Sequence, residues 1–253
     1  PELSKSKIIF VNSGGEGKSS EIYLSNLDGT QKEKLTSEPS DFIEPIFLPG
    51  GRKIAYSSNL EDIVLVDLDT KEKKVLVLGQ FIQCGPSADG ERKALVFPNI
   101  EITPSGAAVP SWEDIFRISL DGGKPERLTS DKIGHAEACP AVSPDGKYIA
   151  FVSYVPGRRS WKGGVFVYER DKIKEFNPEK PPVKILAGSV YSWSPDSQWL
   201  LVGANIDNRP GVYKVHPDGS LPTLVFDDSS LSLVGRPSWS LDGKWIIFSA
   251  AVK

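Results

Sequence analysis

The 253-residue chain carries 30 lysines and arginines against 33 aspartates and glutamates, a formal net charge of -3. That balance excludes the clustered basic excess of a nucleic-acid surface, and no apolar run approaches the roughly 20 residues a membrane-spanning helix needs. Hydrophobic residues at 39% and charged residues at 25% are ordinary for one globular domain.

In chain order, Lys7-Ile8-Ile9-Phe10-Val11 reads as a strand, followed by Ile22-Tyr23-Leu24, an Asp28-Gly29 turn and Glu33-Lys34-Leu35-Thr36. A different turn then recurs: Leu48-Pro49-Gly50-Gly51, Ser87-Ala88-Asp89-Gly90, Ser143-Pro144-Asp145-Gly146, Ser194-Pro195-Asp196-Ser197 and Ser240-Leu241-Asp242-Gly243. Each is preceded by a short strand and followed by an apolar one, such as Tyr148-Ile149-Ala150-Phe151-Val152 or Trp245-Ile246-Ile247-Phe248. A third strand (Ile63-Val64-Leu65-Val66, Ile115-Phe116-Arg117-Ile118, Val165-Phe166-Val167-Tyr168, Val212-Tyr213-Lys214-Val215) and a charged fourth one complete the unit. Asp-Gly between strands is a strong hairpin signal, since Gly accepts positive φ and Asp bonds its own backbone.

A unit of four short strands, repeated at roughly 40–50 residues, predicts a β-propeller. The expected fold is all-β, a single domain over residues 1–253. Its four-stranded antiparallel blades have strand A at the axis and strand D at the rim. Five blades close when the C-terminal inner strand joins the first set of strands; the count is six if the last unit stands separately. The rim lysines and arginines read as charge that blocks edge-to-edge aggregation. Trp193, Trp199, Trp239 and Trp245 repeat within the unit and are expected between blades.

The pattern Trp/Phe-Ser-Pro-Asp-Gly-Lys-x-Ile-Ala-Phe, then Ile-Tyr-x-x-x-Leu-Asp-Gly, then x-x-Leu-Thr, resembles the WD40-like repeat of TolB-type propellers. Residues 140–151, 237–248 and 21–36 match it closely. The resemblance implies the propeller fold and a protein partner. It reads here as an isolated propeller, without the α/β domain that precedes the ring in TolB. Similar repeats occur in the propellers of prolyl-oligopeptidase-like enzymes and of oligogalacturonate lyases.

Function is expected at the end of the ring where connections are long. These are residues 13–20, 99–114, 155–164 and 205–211 between strands B and C, and 37–44, 79–83, 130–139 and 227–236 between strands D and A. Long loops on a rigid scaffold carry binding groups. Residues 171–182 are the exception, a long connection at the tight-turn end. Aligning the units puts Glu44, Gln83, Cys139, Val190 and Arg236 at one position by the channel mouth, with Phe42, Phe81, His135, Glu137 and Tyr191 nearby. Glu44 and Arg236 either pair across the ring closure or meet a polar ligand. On the B–C loops Trp112, Arg158, Arg159, Trp161 and Arg209 have hot-spot chemistry; the alternative is that the tryptophans fold back and the arginines are solvated.

Catalytic signatures are sparse. Two histidines, His135 and His216, cannot make a three-histidine metal site, and no Gly-x-Ser-x-Gly elbow occurs. A Glu44–Glu137 pair has the residue types of glycoside hydrolysis. No cofactor is expected, although the channel mouth offers oxygen ligands for Ca²⁺ or Mg²⁺. Cys84 and Cys139 fall before consecutive turns and read as two buried thiols, a disulfide being the alternative. The expected role is a monomeric, non-enzymatic scaffold for a protein or peptide. The N-terminus has no starting Met, which fits an exported chain, periplasmic or extracellular, as well as a trimmed one. The alternatives are a carbohydrate-active enzyme or the detached propeller of a peptidase.

Overall fold

Alternating apolar runs pair antiparallel because each can then hide both faces between neighbouring sheets. The computed structural model describes residues 7–13, 19–36, 42–48, 50–58, 62–77, 86–89, 93–99, 113–130, 135–155, 163–175, 177, 180, 182–186, 188–207, 209–226, 231–233, 237–248 and 250–252. It is a β-propeller of five antiparallel blades.

Blade 1 is described with three strands, β1 (Lys7–Ser13), β2 (Ser20–Asn26) and β3 (Glu33–Lys34). Blade 2 holds β4 (Phe42–Phe47), β5 (Lys53–Ser58), β6 (Asp62–Asp67) and β7 (Lys73–Val77). Blade 3 holds β8 (Ser87–Ala88), β9 (Ala94–Asn99), β10 (Asp114–Ser119) and β11 (Glu126–Arg127). Blade 4 holds β12 (Ala136–Val142), β13 (Tyr148–Tyr154), β14 (Gly164–Glu169), a 3-10 helix (Arg170–Glu175) and β15 (Val183–Leu186). Blade 5 holds β16 (Gly188–Trp193), β17 (Leu200–Ile206), β18 (Arg209–Val215) and β19 (Thr223–Phe226).

The terminal hairpin has β20 (Leu231–Leu233) paired with β23 (Ala250–Val252), and β21 (Ser238–Trp239) paired with β22 (Ile246–Ile247). Among the described residues its strands pair only with one another. It lies against β16, where the Trp239 amide reaches Ser192 Oγ at 3.3 Å.

Period-2 alternation divides each blade between its neighbours. In blade 4, Ile149, Phe151, Phe166 and Tyr168 pack with Val96, Ile115 and Leu128 of blade 3. Ala150, Val152, Val165 and Val167 pack with Trp193, Leu200, Val202 and Val215 of blade 5. Blade 2 divides likewise, with Ile54, Tyr56 and Val64 toward Ile22 of blade 1 and Ala55, Ile63 and Leu65 toward Leu95 and Phe97 of blade 3. Burying one such side chain contributes about 1.5–3 kcal/mol.

The A–B turns share one hydrogen-bond scheme. Ser143 N–H bonds the Tyr148 carbonyl at 2.9 Å, and the equivalent bonds start at Leu48, Ser194 and Ser240. In blade 3 that bond starts at Asp89, reaching the Ala94 carbonyl. The expected turn Ser87-Ala88-Asp89-Gly90 is therefore corrected by two residues. Ser87 and Ala88 belong to the inner strand, paired with Val96 and Leu95.

The physical reason is that Asp89 takes both roles of the usual Ser and Asp. Elsewhere the Ser143 hydroxyl accepts from Tyr148 N–H and Asp145 accepts from Lys147 N–H. Asp89 Oδ1 accepts from both Lys93 N–H (2.8 Å) and Ala94 N–H (2.9 Å).

Two other expectations change. Cys139 is disulfide-bonded, where a buried thiol was the first expectation; Cys84, the other cysteine of the sequence, lies outside the described residues. Of the four repeated tryptophans, Trp193 is core, its indole N–H donating to the Ala141 carbonyl at 2.9 Å. Trp199 is only half-buried, edge-on to His216 with ring centroids 4.1 Å apart, and Trp245 is 56% exposed. Both follow the turn directly, where the B strand emerges at the lip of the blade.

Candidate binding face at the long-loop end

The long connections leave β9 at Asn99 and β13 at Tyr154 and return at Asp114 and Gly164. The expected long connection 205–211 is instead almost all strand, because β17 and β18 stay paired up to Ile206 and Arg209. The inner strands enter at the same end, and they carry a shared irregularity. The β4–β5 register shifts between Ile43 and Ile46, and the β12–β13 register between Ala138 and Ala141. Within those bulges Glu44 (φ 42°) and Cys139 (φ 54°) take left-handed backbone, each just before a proline. A non-glycine residue there costs roughly 1–2 kcal/mol, and the bulge re-aims the chain at the mouth of the ring. The sequence alignment of Glu44 with Cys139 is thus a real equivalence.

A polar cluster is fixed where these connections begin. Glu137, in β12, is fully buried, and its backbone N–H donates to the Glu113 carbonyl at 2.7 Å. Ser153, on the adjacent β13, donates its hydroxyl to Glu137 Oε1 at 3.1 Å and lies 3.5 Å from His135 Nδ1. Glu113, just before β10, is also buried.

Burial, then the Glu113 and Glu137 carboxylates, push the Tyr154 phenol above its ordinary range. Burial is also the main reason Tyr168 is raised, with a smaller push from Glu137. Next to Glu113, Asp114 pairs with Arg127 at 2.5 Å, while Arg127 Nε donates to the Thr129 carbonyl at 2.9 Å. The return at Gly163 passes so close that an added Cβ would lie 2.6 Å from the Ser153 carbonyl, a backbone approach only glycine allows.

The structure therefore brings His135 and Glu137 together, as expected from their shared loop. Glu44 stands on blade 2 and Glu137 on blade 4, and the backbone of Glu137 is bonded to that of a second carboxylate residue, Glu113. Phe42, Tyr191 and Arg209 stand in β4, β16 and β18. Gln83, Trp112, Arg158, Arg159, Trp161 and Arg236 lie outside the described residues. Glu113, Ser153 and Tyr154 escaped the sequence reading. The Glu113-Asp114 pair directly before an apolar strand was the signal for the first of them. Among the described residues no group of three or more His, Cys, Asp or Glu side chains is arranged to hold a metal ion.

No protein-family model matches the chain. It is 27% identical over 136 residues to the uncharacterized peptidase YuxL of Bacillus subtilis, covering 54% of this chain and 18% of that protein. It is 27% identical over 145 residues to a TolB homolog of Chlorobium luteolum, covering 55% of this chain and 29% of that protein. The chain thus matches less than a third of either relative's length. Among solved structures, TolB from Acinetobacter baumannii superposes with a TM-score of 0.71 at 20% identity, over 97% of this chain and 58% of that one. The chain has the β-propeller fold of TolB.

An oligogalacturonate lyase from Vibrio parahaemolyticus shares the fold less closely, with a TM-score of 0.56 at 16% identity over 97% of this chain and 83% of that one. Within the described residues no helix is long and apolar enough to cross a membrane.

Proposed function

We propose that this propeller is a non-enzymatic scaffold that holds a protein or peptide partner on its long-loop face. The observation that carries the reading is the sealed polar cluster under that face. Glu137 is 0% and Ser153 1% exposed, so neither reaches a substrate. A nucleophilic serine would also donate to its base, whereas Ser153 donates to Glu137 and stands at the far limit of contact with His135. The cluster instead pins the roots of the connections 99–114, 130–135 and 155–163. Rigid roots under long loops suit recognition.

The partner is protein rather than nucleic acid, given the charge of -3, and the scaffold acts as a monomer outside the reducing cytosol. The disulfide at Cys139 supports export, because such bonds persist in oxidising compartments.

The test is pull-down on the immobilised propeller, wild type against the Trp112→Ala/Arg159→Ala/Trp161→Ala variant. Loss of the captured partner with an unchanged thermal midpoint is expected; equal capture by both rejects the face. The second reading, glycoside chemistry, draws on the adjacency of Glu113 and Glu137. It requires turnover of a glycan that Glu137→Gln abolishes.

A further inference from the structure

Three departures from the repeat converge at one place, the tight-turn end of the seam between blades 3 and 4. The first is Arg117. Its partner across the ladder is Val96, and the equivalent pairs are Ala55 with Leu65 in blade 2 and Ala150 with Val167 in blade 4. Leu65 and Val167 are buried core residues of their seams. Blade 3 puts a guanidinium where blades 2 and 4 put an aliphatic side chain, while blade 5 has Lys214 there, opposite Leu201. The second departure is Asp89, a carboxylate where three other turns have serine. It is 3% exposed, and its Oδ2 holds Arg117 at 2.8 Å. The third is the long C–D connection of blade 4, which folds into the 3-10 helix Arg170–Glu175 and lowers Ile173 into the seam.

Together these leave a cavity of about 250 Å³. Val96, Leu128, Val142, Ile149 and Ile173 line it with hydrocarbon, and Arg117, Arg170 and Lys174 face it beside Asp89 and Asp171. We propose that this cavity binds a small carboxylate bearing a single apolar side group. The hydrocarbon enters among the aliphatic walls and the carboxylate forks onto Arg117.

The chemistry of Arg117 carries the assignment. A guanidinium has five N–H donors in a fixed fork that matches a carboxylate. One is given to Asp89, whose other oxygen is held by two backbone amides, so the guanidinium is aimed by a rigid partner. Its side chain is 36% exposed, open enough to meet a ligand. Arg170 is matched by Asp171 and Lys174 by Glu126, so the carboxylate of a ligand is met by the guanidinium donors of Arg117 that Asp89 leaves unused. Size narrows the class further. Drug-sized ligands occupy about 300–1,000 Å³, so this cavity takes one amino-acid-sized group and excludes an oligosaccharide. A free acid and the C-terminal residue of a peptide share this chemistry.

The test is titration followed by NMR shifts, using N-acetyl-L-leucine, its carboxamide, and a short peptide ending in leucine as the free acid or the amide. Saturable binding of an acid, at least about tenfold weaker for the matching amide, is expected. Binding of the peptide acid alone identifies a chain end as the source. Binding of both acids identifies the carboxylate itself. Arg117→Gln, which keeps a donor for Asp89, is expected to lose at least tenfold in affinity with its thermal midpoint retained. If that variant does not fold, Ile173→Trp, which fills the space, is expected to abolish binding. No saturable binding by any acid overturns the proposal, as does equal binding of acid and amide, or wild-type affinity in the variants. The site is at the opposite end of the ring from the long-loop face, so this outcome is independent of partner capture there.

Discussion

Single side chains here stand in for backbone. Thr36 and Thr129 are buried at the ends of two D strands, and each Oγ1 accepts from a strand-C amide, Ile22 N–H at 3.1 Å and Ile115 N–H at 2.8 Å. That is the physical content of the Leu-Thr signature. Asp89 is the extreme case, with two amides and a guanidinium on one buried carboxylate. Asp89→Ala is expected to lose about 2–3 kcal/mol in urea unfolding, because three buried or half-buried donors lose their acceptor. Asp89→Ser, which restores the residue of the other turns, keeps an acceptor for Ala94 and is expected to lose about 1 kcal/mol. Equal losses in the two variants would show that the carboxylate has no role beyond that of the hydroxyl.

The turn aspartates have a pH signature. The Ser194 hydroxyl and the Gln198 amide hold Asp196 below the ordinary 3.8, as the Ser240 hydroxyl and the Lys244 amide do for Asp242. Burial pushes Asp145 upward, but the Ser143 hydroxyl and Lys147 outweigh it, and it too is lowered. A depressed folded pKa adds stability above the unfolded value and loses it as pH falls through the folded one. Stability should therefore drop from the neighbourhood of 3.8 downward. The Asp145→Asn/Asp196→Asn/Asp242→Asn variant should show a shallower decline between about pH 5 and pH 2 in urea midpoints.

At the scale of elements, strands B and C were readable because alternation and β-branched residues mark strands covered on both faces. Every expected strand C is present in β2, β6, β10, β14 and β18. The third turn slipped by two residues because Asp89 carries the hydrogen bonds of a Ser and an Asp at once, leaving the motif's letters in place and moving its function. His135 and Glu137 were legible from their position in a long loop. Their partners Glu113 and Ser153 come from other strands, and only the sheet register brings them together.

The disulfide was misjudged for a related reason, since cysteine spacing does not reveal the distance between blades 3 and 4. With Cys84 the other cysteine of the sequence, a link between the two would close a loop from residue 84 to residue 139. Loop-closure entropy gives such a link about 4 kcal/mol. The Cys84→Ser/Cys139→Ser variant should unfold at correspondingly lower urea. A reductant should lower the wild-type midpoint and leave that of the variant unchanged. A wild type indifferent to reductant would refute the stabilising role.

Across the whole molecule, stability resides in the seams, and the seams are unequal. Those between blades 3 and 4 and between 4 and 5 bury Phe151, Leu200 and Val202 at 0% exposure, with Val152 at 3%. Inner strands are also stitched across blades, Val142 N–H to Ser87 Oγ at 3.0 Å and Trp239 N–H to Ser192 Oγ at 3.3 Å. Rim ion pairs add little. Lys71 with Glu33 (2.6 Å) and Lys174 with Glu126 (2.7 Å) link neighbouring blades, but exposed pairs contribute about 0–1 kcal/mol each.

The terminal hairpin keeps the repeat's turn, with Ser240 Oγ accepting from Trp245 N–H at 3.0 Å, yet lacks comparable burial. Leu241 is 97%, Trp245 56% and Phe248 38% exposed, whereas Trp193 is 6%. Local opening free energy follows buried apolar contact, so the hairpin should open well below the global unfolding free energy. Native-state amide exchange should find Ile246 and Ile247 exchanging through local opening, with rates insensitive to low urea. Phe151, Val152 and Leu201 should exchange only through global unfolding, with rates rising steeply in urea. If the Ile246 and Ile247 amides were as protected and as urea-sensitive as that of Phe151, the hairpin would be as firmly seated as any other blade, and unequal seams would be the wrong account of this ring.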